Sequence, residues 1–283
     1  MKAIIFVAGC GIRLDSDCTS PTPKVLLSVG GRTLLDWHCQ RLLEVGIREI
    51  VLVVGFERAQ VEAAVTELTA KYDCTIRTIV NERYEAGSVL SLAAAVPEIT
   101  GSDDGLLLMD GDVLYPAAML RRLVSSREKT CLLLDQSIDL EDPEPMRVAV
   151  LNGKIIDLRK QWDGSADRIG ESIGFFKIAA EDIDLLLSEI GRHATDEYSA
   201  ERHEDVIREL VLQGRMGFED VSGLPWIEID FPEDLAKARE QILPAVLHYE
   251  LTSIWMHTPT HSQRIHELQE VREELVRAGF PAT

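Results

Sequence analysis

Three short constellations hold the residue types able to do chemistry. The first is Gly9-Cys10-Gly11-Ile12-Arg13, followed by Pro23-Lys24. Glycines at such a turn let backbone N–H groups approach phosphate oxygens, and the basic side chains neutralise a polyphosphate. The second is Asp110-Gly111-Asp112, which closes the apolar run 105–109. A carboxylate at a strand's carboxyl end suits Mg²⁺, a hard ion that takes one or two carboxylates plus substrate phosphates. The third is Glu228-Ile229-Asp230, between Trp226 and Phe231. Strand alternation puts its two carboxylates on one face, where they need a cation or solvent. Each constellation also has a plainer reading: a tight turn, a capping turn and a solvated sheet edge.

The glycine turn differs from two better-known phosphate binders. A dinucleotide fingerprint needs a glycine where Leu14 stands, and a P-loop needs a Gly-Lys-Ser/Thr run that does not follow. No Ser–His–Asp or Cys–His arrangement suggests a nucleophile of the protein's own. Charge is distributed unevenly. The chain carries a formal net charge of −19, yet residues 1–32 hold Lys2, Arg13, Lys24 and Arg32 against Asp15 and Asp17. One anion site near the N-terminus is expected on an otherwise acidic protein. Such a protein is a poor general binder of nucleic acid or anionic membrane.

These residues need a frame that brings strand ends together. Apolar runs at 2–8, 49–55 and 105–109 and a short strand at 75–80 alternate with helical spacing at 33–45, 59–71 and 88–96, the last closed by Pro97. That alternation predicts an α/β fold with a doubly wound, mostly parallel, Rossmann-like mixed sheet. From about residue 130 the pattern changes to closely connected strands at 130–134, 146–151, 154–158 and 172–178, with a hairpin at Asn152-Gly153. Helices are expected at 182–190, 204–213 and 232–243, with a last short strand at 226–229. Residues 1–243 read as one domain and residues 244–283 as a C-terminal helical extension. Its amphipathic stripe over 262–278 packs on the body or meets a second copy in a homodimer. His248, His257, His261 and His266 in that extension match no zinc signature.

With 283 residues and 46% hydrophobic content, the chain has ample material for a core. No apolar run nears the roughly 20 residues of a membrane span. Five widely spaced cysteines without a C-x-x-C pair fit free thiols in a reducing cytoplasm.

Taken in order, Gly-x-Gly-x-Arg, Pro-Lys, the strand-end aspartate and Trp-x-Glu-Ile-Asp-x-x-x-Asp resemble the sugar-phosphate nucleotidyltransferase superfamily over about residues 1–243. The resemblance implies transfer of a nucleoside monophosphate from an NTP to a phosphorylated acceptor with release of pyrophosphate. By it, Ala8, Gly9, Gly11 and Arg13 wrap the nucleotide phosphates, and Asp110 belongs to the nucleotide site. Lys24, with Arg13, offsets charge at the α-phosphate. Asp112 and Asp230, with Glu228 helping, hold catalytic Mg²⁺. Residues 81–92 (NERYEAGSVLSL) look like the segment of phosphocholine and phosphonate cytidylyltransferases. That likeness implies CTP as donor, Glu85, Gly87 and Ser88 on the base side, and Asn81 and Glu171 on the acceptor side. Sugar-1-phosphate enzymes using UTP, dTTP or GTP are the alternative. Glu171, Glu201, Glu204 and Asp205 are acidic groups able to hold a cationic amine, although most such groups on this chain are simply solvated. The glycine turn departs from the family pattern, because Cys10 and Ile12 stand where a further Gly or Ser is common.

Overall fold

Runs of side chains that are apolar on every position have no polar face to turn to water, so they become strands covered on both sides. The computed structural model describes residues 1–11, 22–195, 200–257, 271–273 and 276. It places such strands at the centre, β1 (Lys2–Phe6), β4 (Glu49–Val54) and β6 (Leu106–Asp110), with the more polar β5 (Thr75–Val80) at the edge beside β4. Two short strands, β2 (Ser28–Val29) and β3 (Arg32–Thr33), form a separate ribbon. Helix α1 (Leu34–Glu44) opens on Thr33, whose hydroxyl accepts the Asp36 N–H at 3.1 Å. Helix α2 (Arg58–Lys71) joins β4 to β5. Helices α3 (Val89–Ala94) and α4 (Val96–Ile99) join β5 to β6. Pro97, expected to end a helix, stands instead in the first turn of α4, where its missing N–H costs nothing.

After β6 come the two-residue β7 (Val113–Leu114) and an unanticipated helix, α5 (Ala117–Ser125). The second half supplies β8 (Cys131–Asp135), β9 (Arg147–Leu151), β10 (Lys154–Arg159) and the long β11 (Arg168–Ile178). Helices α6 (Ile183–His193) and α7 (His203–Leu212) follow, then β12 (Gly217–Asp220) and β13 (Ile227–Glu228). Helix α8 (Pro232–Lys237) runs through a π-helical stretch (Ala238–Ile242) into α9 (Leu243–His257).

The main sheet has the order β10-β9-β11-β6-β1-β4-β5. Strands β6, β1, β4 and β5 are mutually parallel, and β11 enters antiparallel beside β6. Strand β11 also pairs with β9 and β8, and β12 lies parallel to β8. The fold is therefore the doubly wound, mostly parallel mixed sheet expected. The β9–β10 turn falls at Asn152-Gly153, both at positive φ, the conformation a two-residue primed turn demands.

Two apolar layers cover the sheet. One packs α1, α2 and α5 against Ile5, Leu52 and Met109; the other packs α3, α6 and α7 against Ile4, Val53 and Leu108. A third cluster joins Trp37, Leu114, Ile227, Ile229, Leu243, Leu247 and Val271. Arg41, almost fully buried, donates to Glu250 at 2.9 Å and so fastens α9 to α1. Most of the 262–278 stripe lies outside the described residues. Among the described residues, no helix is long and apolar enough to cross a membrane.

Candidate active site

In an open parallel sheet, ligands gather outside the carboxyl ends of the strands, where the order of connection reverses. Here β1 and β6 end side by side, and a cleft of about 910 Å³ opens above them. Beyond β1 the chain continues through Ala8 and Gly9 along the cleft wall. The Asp110-Gly111-Asp112 turn lies at the end of β6. A Cβ on Gly111 would press into Val7 and the Phe6 carbonyl, so glycine is what lets this turn lie against β1.

The distant third constellation arrives through a very short ribbon. Val113 pairs with Glu228 and Leu114 with Ile227, antiparallel, and the Ile229 N–H donates to the Asp112 carbonyl at 2.9 Å. Ile229 points into the third apolar cluster, leaving Glu228 and Asp230 beside Asp112. One oxygen from each of the three carboxylates falls within 4.8 Å of the others. Lys24 reaches them from a short 3₁₀ turn (Lys24–Leu26) after Pro23. Its Nζ donates to Asp112 Oδ2 at 2.8 Å and also to Asp230 Oδ1. Gly11 lies against the Lys24 stem, at φ +55°.

The electrostatics follow from this crowding. Burial on its own would strip Lys24 of its proton; the facing Asp112 and Asp230 overturn that and hold the ammonium well above lysine's ordinary value. Glu228 is open to solvent at the cleft wall yet surrounded by protein. Desolvation, then Asp112 and Asp230, raise its carboxyl well above the usual range. Asp110 is raised as well, by burial and then by Glu204 and Asp112. A set of hard oxygen donors this reluctant to carry charge together, with one ammonium already drawn between two of them, has the chemistry of a divalent-cation seat.

Gly87 and Ser88, at the start of α3, also line the cleft, as does Glu171 on β11. Burial, then Asp135 and Asp142, push the Glu171 carboxyl up to about 7. Other expected residues lie elsewhere. Glu85 is exposed on the turn before α3 and does not line the cleft. Asn81 is buried; its amide donates to Ser91 Oγ at 3.1 Å and its carbonyl accepts the Arg83 N–H at 2.9 Å. It therefore shapes the 81–91 turn from behind and does not line the cleft. Arg13 lies outside the described residues.

Among the acidic residues weighed for an amine, Glu201 is engaged by His193 at 2.6 Å and Asp205 caps α7 by accepting the Arg202 N–H. Glu171 and Glu204 face the cleft. His203 was not anticipated. It is 4% exposed, its ring packs on Phe6 at 4.9 Å between centroids, and its Nε2 is 3.4 Å from Asp110 Oδ1. A lone histidine at the start of a helix carries no periodic signal, so only its packing on Phe6 of β1 and its approach to Asp110 of β6 reveal it.

The family model of the MobA-like NTP transferase domain matches residues 3–167, more than half of the chain. The "bifunctional IPC transferase and DIPP synthase" of Aquifex aeolicus is 26% identical over 87% of this chain and 52% of its own length. This chain thus spans about half of that relative. The CTP:phosphoglutamine cytidylyltransferase of Campylobacter jejuni is 24% identical over 63% of this chain and 73% of its own. Among solved structures, the CTP:phosphocholine cytidylyltransferase of Streptococcus pneumoniae superposes with a TM-score of 0.66 at 22% identity. The match covers 84% of this chain and 97% of that one, and it is a likeness of fold. A sheet wound in this order, its carboxylates and lysine gathered at the β1–β6 end, and the family match all agree. The chain belongs to the MobA-like NTP transferase family, within the sugar-phosphate nucleotidyltransferase superfamily.

Proposed function

We propose that this protein is a Mg²⁺-dependent cytidylyltransferase that moves CMP from CTP to a small phosphate or phosphonate acceptor. The observation that carries the reading is the Lys24 ammonium held between Asp112 and Asp230 at the switch point of the sheet. The likeness to two CTP-named cytidylyltransferases supports CTP as donor. The acidic cleft wall at Glu171 supports an acceptor that carries a cationic group, of the phosphocholine or 2-aminoethylphosphonate kind.

The donor set fits Mg²⁺, with Asp112 and Asp230 as ligands and Glu228 as the third carboxylate. When bound, the ion would neutralise phosphate charge and orient the reacting groups. The chain's own residues do the rest. Gly9 leaves the backbone open to a triphosphate; among the described residues no neighbouring atom stands where its Cβ would be. Lys24 is fixed in its charged form and meets the charge that grows around the α-phosphorus. An ionised acceptor oxygen attacks that phosphorus, the bond to the bridging oxygen breaks, and pyrophosphate leaves. No proton has to be removed from such an acceptor, so no general base is needed.

The test is pyrophosphate release with Mg²⁺, offering CTP, UTP, dTTP, GTP and ATP separately. Each is given phosphocholine, 2-aminoethylphosphonate, hydroxyalkylphosphonates and sugar-1-phosphates in turn. Release with CTP and an amine-bearing acceptor, abolished by chelation, is the expected outcome. Release only with UTP, dTTP or GTP and a sugar phosphate replaces the cytidylyl reading with the sugar-1-phosphate one.

A further inference from the structure

We propose that Asp110, His203 and Glu204 form a second cation site, with an imidazole ligand, beside the Asp112–Glu228–Asp230 group. Each of the three offers an atom within 4.8 Å of the others. The second observation is the histidine itself. His203 is 4% exposed, and its Nε2 is buried without a hydrogen-bond partner among the described residues while facing Asp110 Oδ1 at 3.4 Å. A buried nitrogen left unsatisfied costs on the order of 1–3 kcal/mol, so this atom lacks something that belongs there.

The ring is held as a ligand needs to be held. The His203 backbone N–H donates to Ser88 Oγ at 3.0 Å, and Phe6 packs against the imidazole. Nδ1 lies 3.1 Å from both Ser88 Oγ and Glu204 Oε2. Assigning the proton to Nδ1, which faces Ser88 Oγ, leaves the Nε2 lone pair facing Asp110. A ligating histidine is held in this way, its other ring nitrogen on a hydrogen-bond partner that fixes tautomer and ring angle. Asp110 is held in place too, because Gly174 packs so closely that any Cβ there would strike its carboxylate. The positive end of α7 opposes a cation, and Asp205, which accepts the Arg202 N–H, offsets it.

Two carboxylates and a neutral imidazole together carry the charge that balances a divalent ion. The nitrogen donor decides which one. Mg²⁺ demands oxygen ligands, whereas Mn²⁺ and Zn²⁺ accept imidazole readily. The second site therefore favours Mn²⁺ or Zn²⁺ over Mg²⁺, while the all-carboxylate group does not. The ion would stand on the Asp110 side of the cleft, along the same wall as Gly174 and Ser88.

The inference does not rest on nucleotidyl transfer, because cation binding is measured without either substrate. Chelator-stripped protein is titrated with Mn²⁺ and read by EPR, with ¹⁴N electron spin echo modulation to detect an imidazole bound to the metal. Two Mn²⁺ per chain are expected, one showing ¹⁴N coupling that excess Mg²⁺ fails to displace. His203→Gln and Glu204→Gln should each reduce the count to one, His203→Gln with complete loss of the coupling. Circular dichroism melts identify a variant that has not folded, and the wild-type coupling stands without any variant. A single Mn²⁺ per chain, absence of ¹⁴N coupling in the wild type, or unchanged coupling in folded His203→Gln would overturn the proposal. So would ¹⁵N NMR showing both His203 nitrogens protonated in the presence of Mn²⁺, since the imidazolium would then be the cation.

Discussion

The imidazole of His38 lies beneath the carbonyl of Gly111, with Nε2 3.2 Å from that oxygen and Nδ1 3.1 Å from the Tyr115 hydroxyl. One neutral tautomer satisfies both contacts: Nε2–H donates to Gly111 and Nδ1 accepts from Tyr115. The ring thus props up the glycine between Asp110 and Asp112 from inside the core. It is fully buried, and burial pulls its pKa down to about 4 despite the Gly111 carbonyl.

A stability prediction follows from that depression. Above about pH 6.5 neither state carries the proton. Between about 6.5 and 4 the unfolded chain takes it up while the folded chain refuses it, so stability is lost as pH falls through this window. The shift corresponds to about 3 kcal/mol. Urea melts of wild type and His38→Gln from pH 7.5 to 4 should show a shallower decline for the variant, whatever its stability at neutral pH. Parallel curves would remove His38 from the account.

Lys24 supplies a second prediction, because it serves both the charge balance of the resting protein and the proposed reaction. Lys24→Ala should lower turnover by about 10²–10³, the range for removing a positioned charge at a transition state. It also leaves Asp112, Asp230 and Glu228 facing one another without the ammonium. Mg²⁺ should therefore raise the melting temperature of the variant more than that of the wild type. An equal gain in both proteins would mean that the lysine and the metal do not share those carboxylates.

Gly174 offers a third. It sits at φ +75° where the β11 pairing with β8 shifts register, between Ser172 and Phe176. Alanine there meets left-handed strain of roughly 1–2 kcal/mol and forces the Asp110 carboxylate aside. Gly174→Ala should melt lower and lose more than tenfold in kcat/KM. Full activity in the folded variant would show that the position of Asp110 does not matter to the chemistry.

The sequence carried the centre of the sheet because β1, β4 and β6 are apolar without interruption, and only strands covered on both faces tolerate that. Asp112 and Asp230 could be picked out singly, yet their meeting depends on two pairs between β7 and β13, each two residues long. Such a ribbon has no periodicity to detect. Asn81 was placed on the acceptor side by the likeness of residues 81–92 to a family segment; its buried bonds to Ser91 and Arg83 turn it inward. Helix α5 went unanticipated, although Met119, Leu120 and Leu123 line up on one face and bury against the sheet. His203 was not legible, since its meaning comes from Phe6 and Asp110, far away in the chain.

Glu171 supplies the last prediction, and it bears directly on the acceptor. Its carboxyl is raised to about 7 by burial and by Asp135 and Asp142, with Lys160 working the other way. Below about pH 7 the side chain is therefore mainly neutral and holds a cationic amine poorly; above it the carboxylate is charged and attracts one. For 2-aminoethylphosphonate or phosphocholine, KM should rise as pH falls from about 8 to 6. A hydroxyalkylphosphonate, whose own phosphonate titrates similarly but which has no amine, separates the side chain's titration from the substrate's. Glu171→Gln should flatten the difference between the two acceptors and leave kcat with the neutral one nearly unchanged. If the two acceptors share one pH profile in the wild type, Glu171 does not face the amine, and the acidic cleft wall has to be explained without a cationic acceptor.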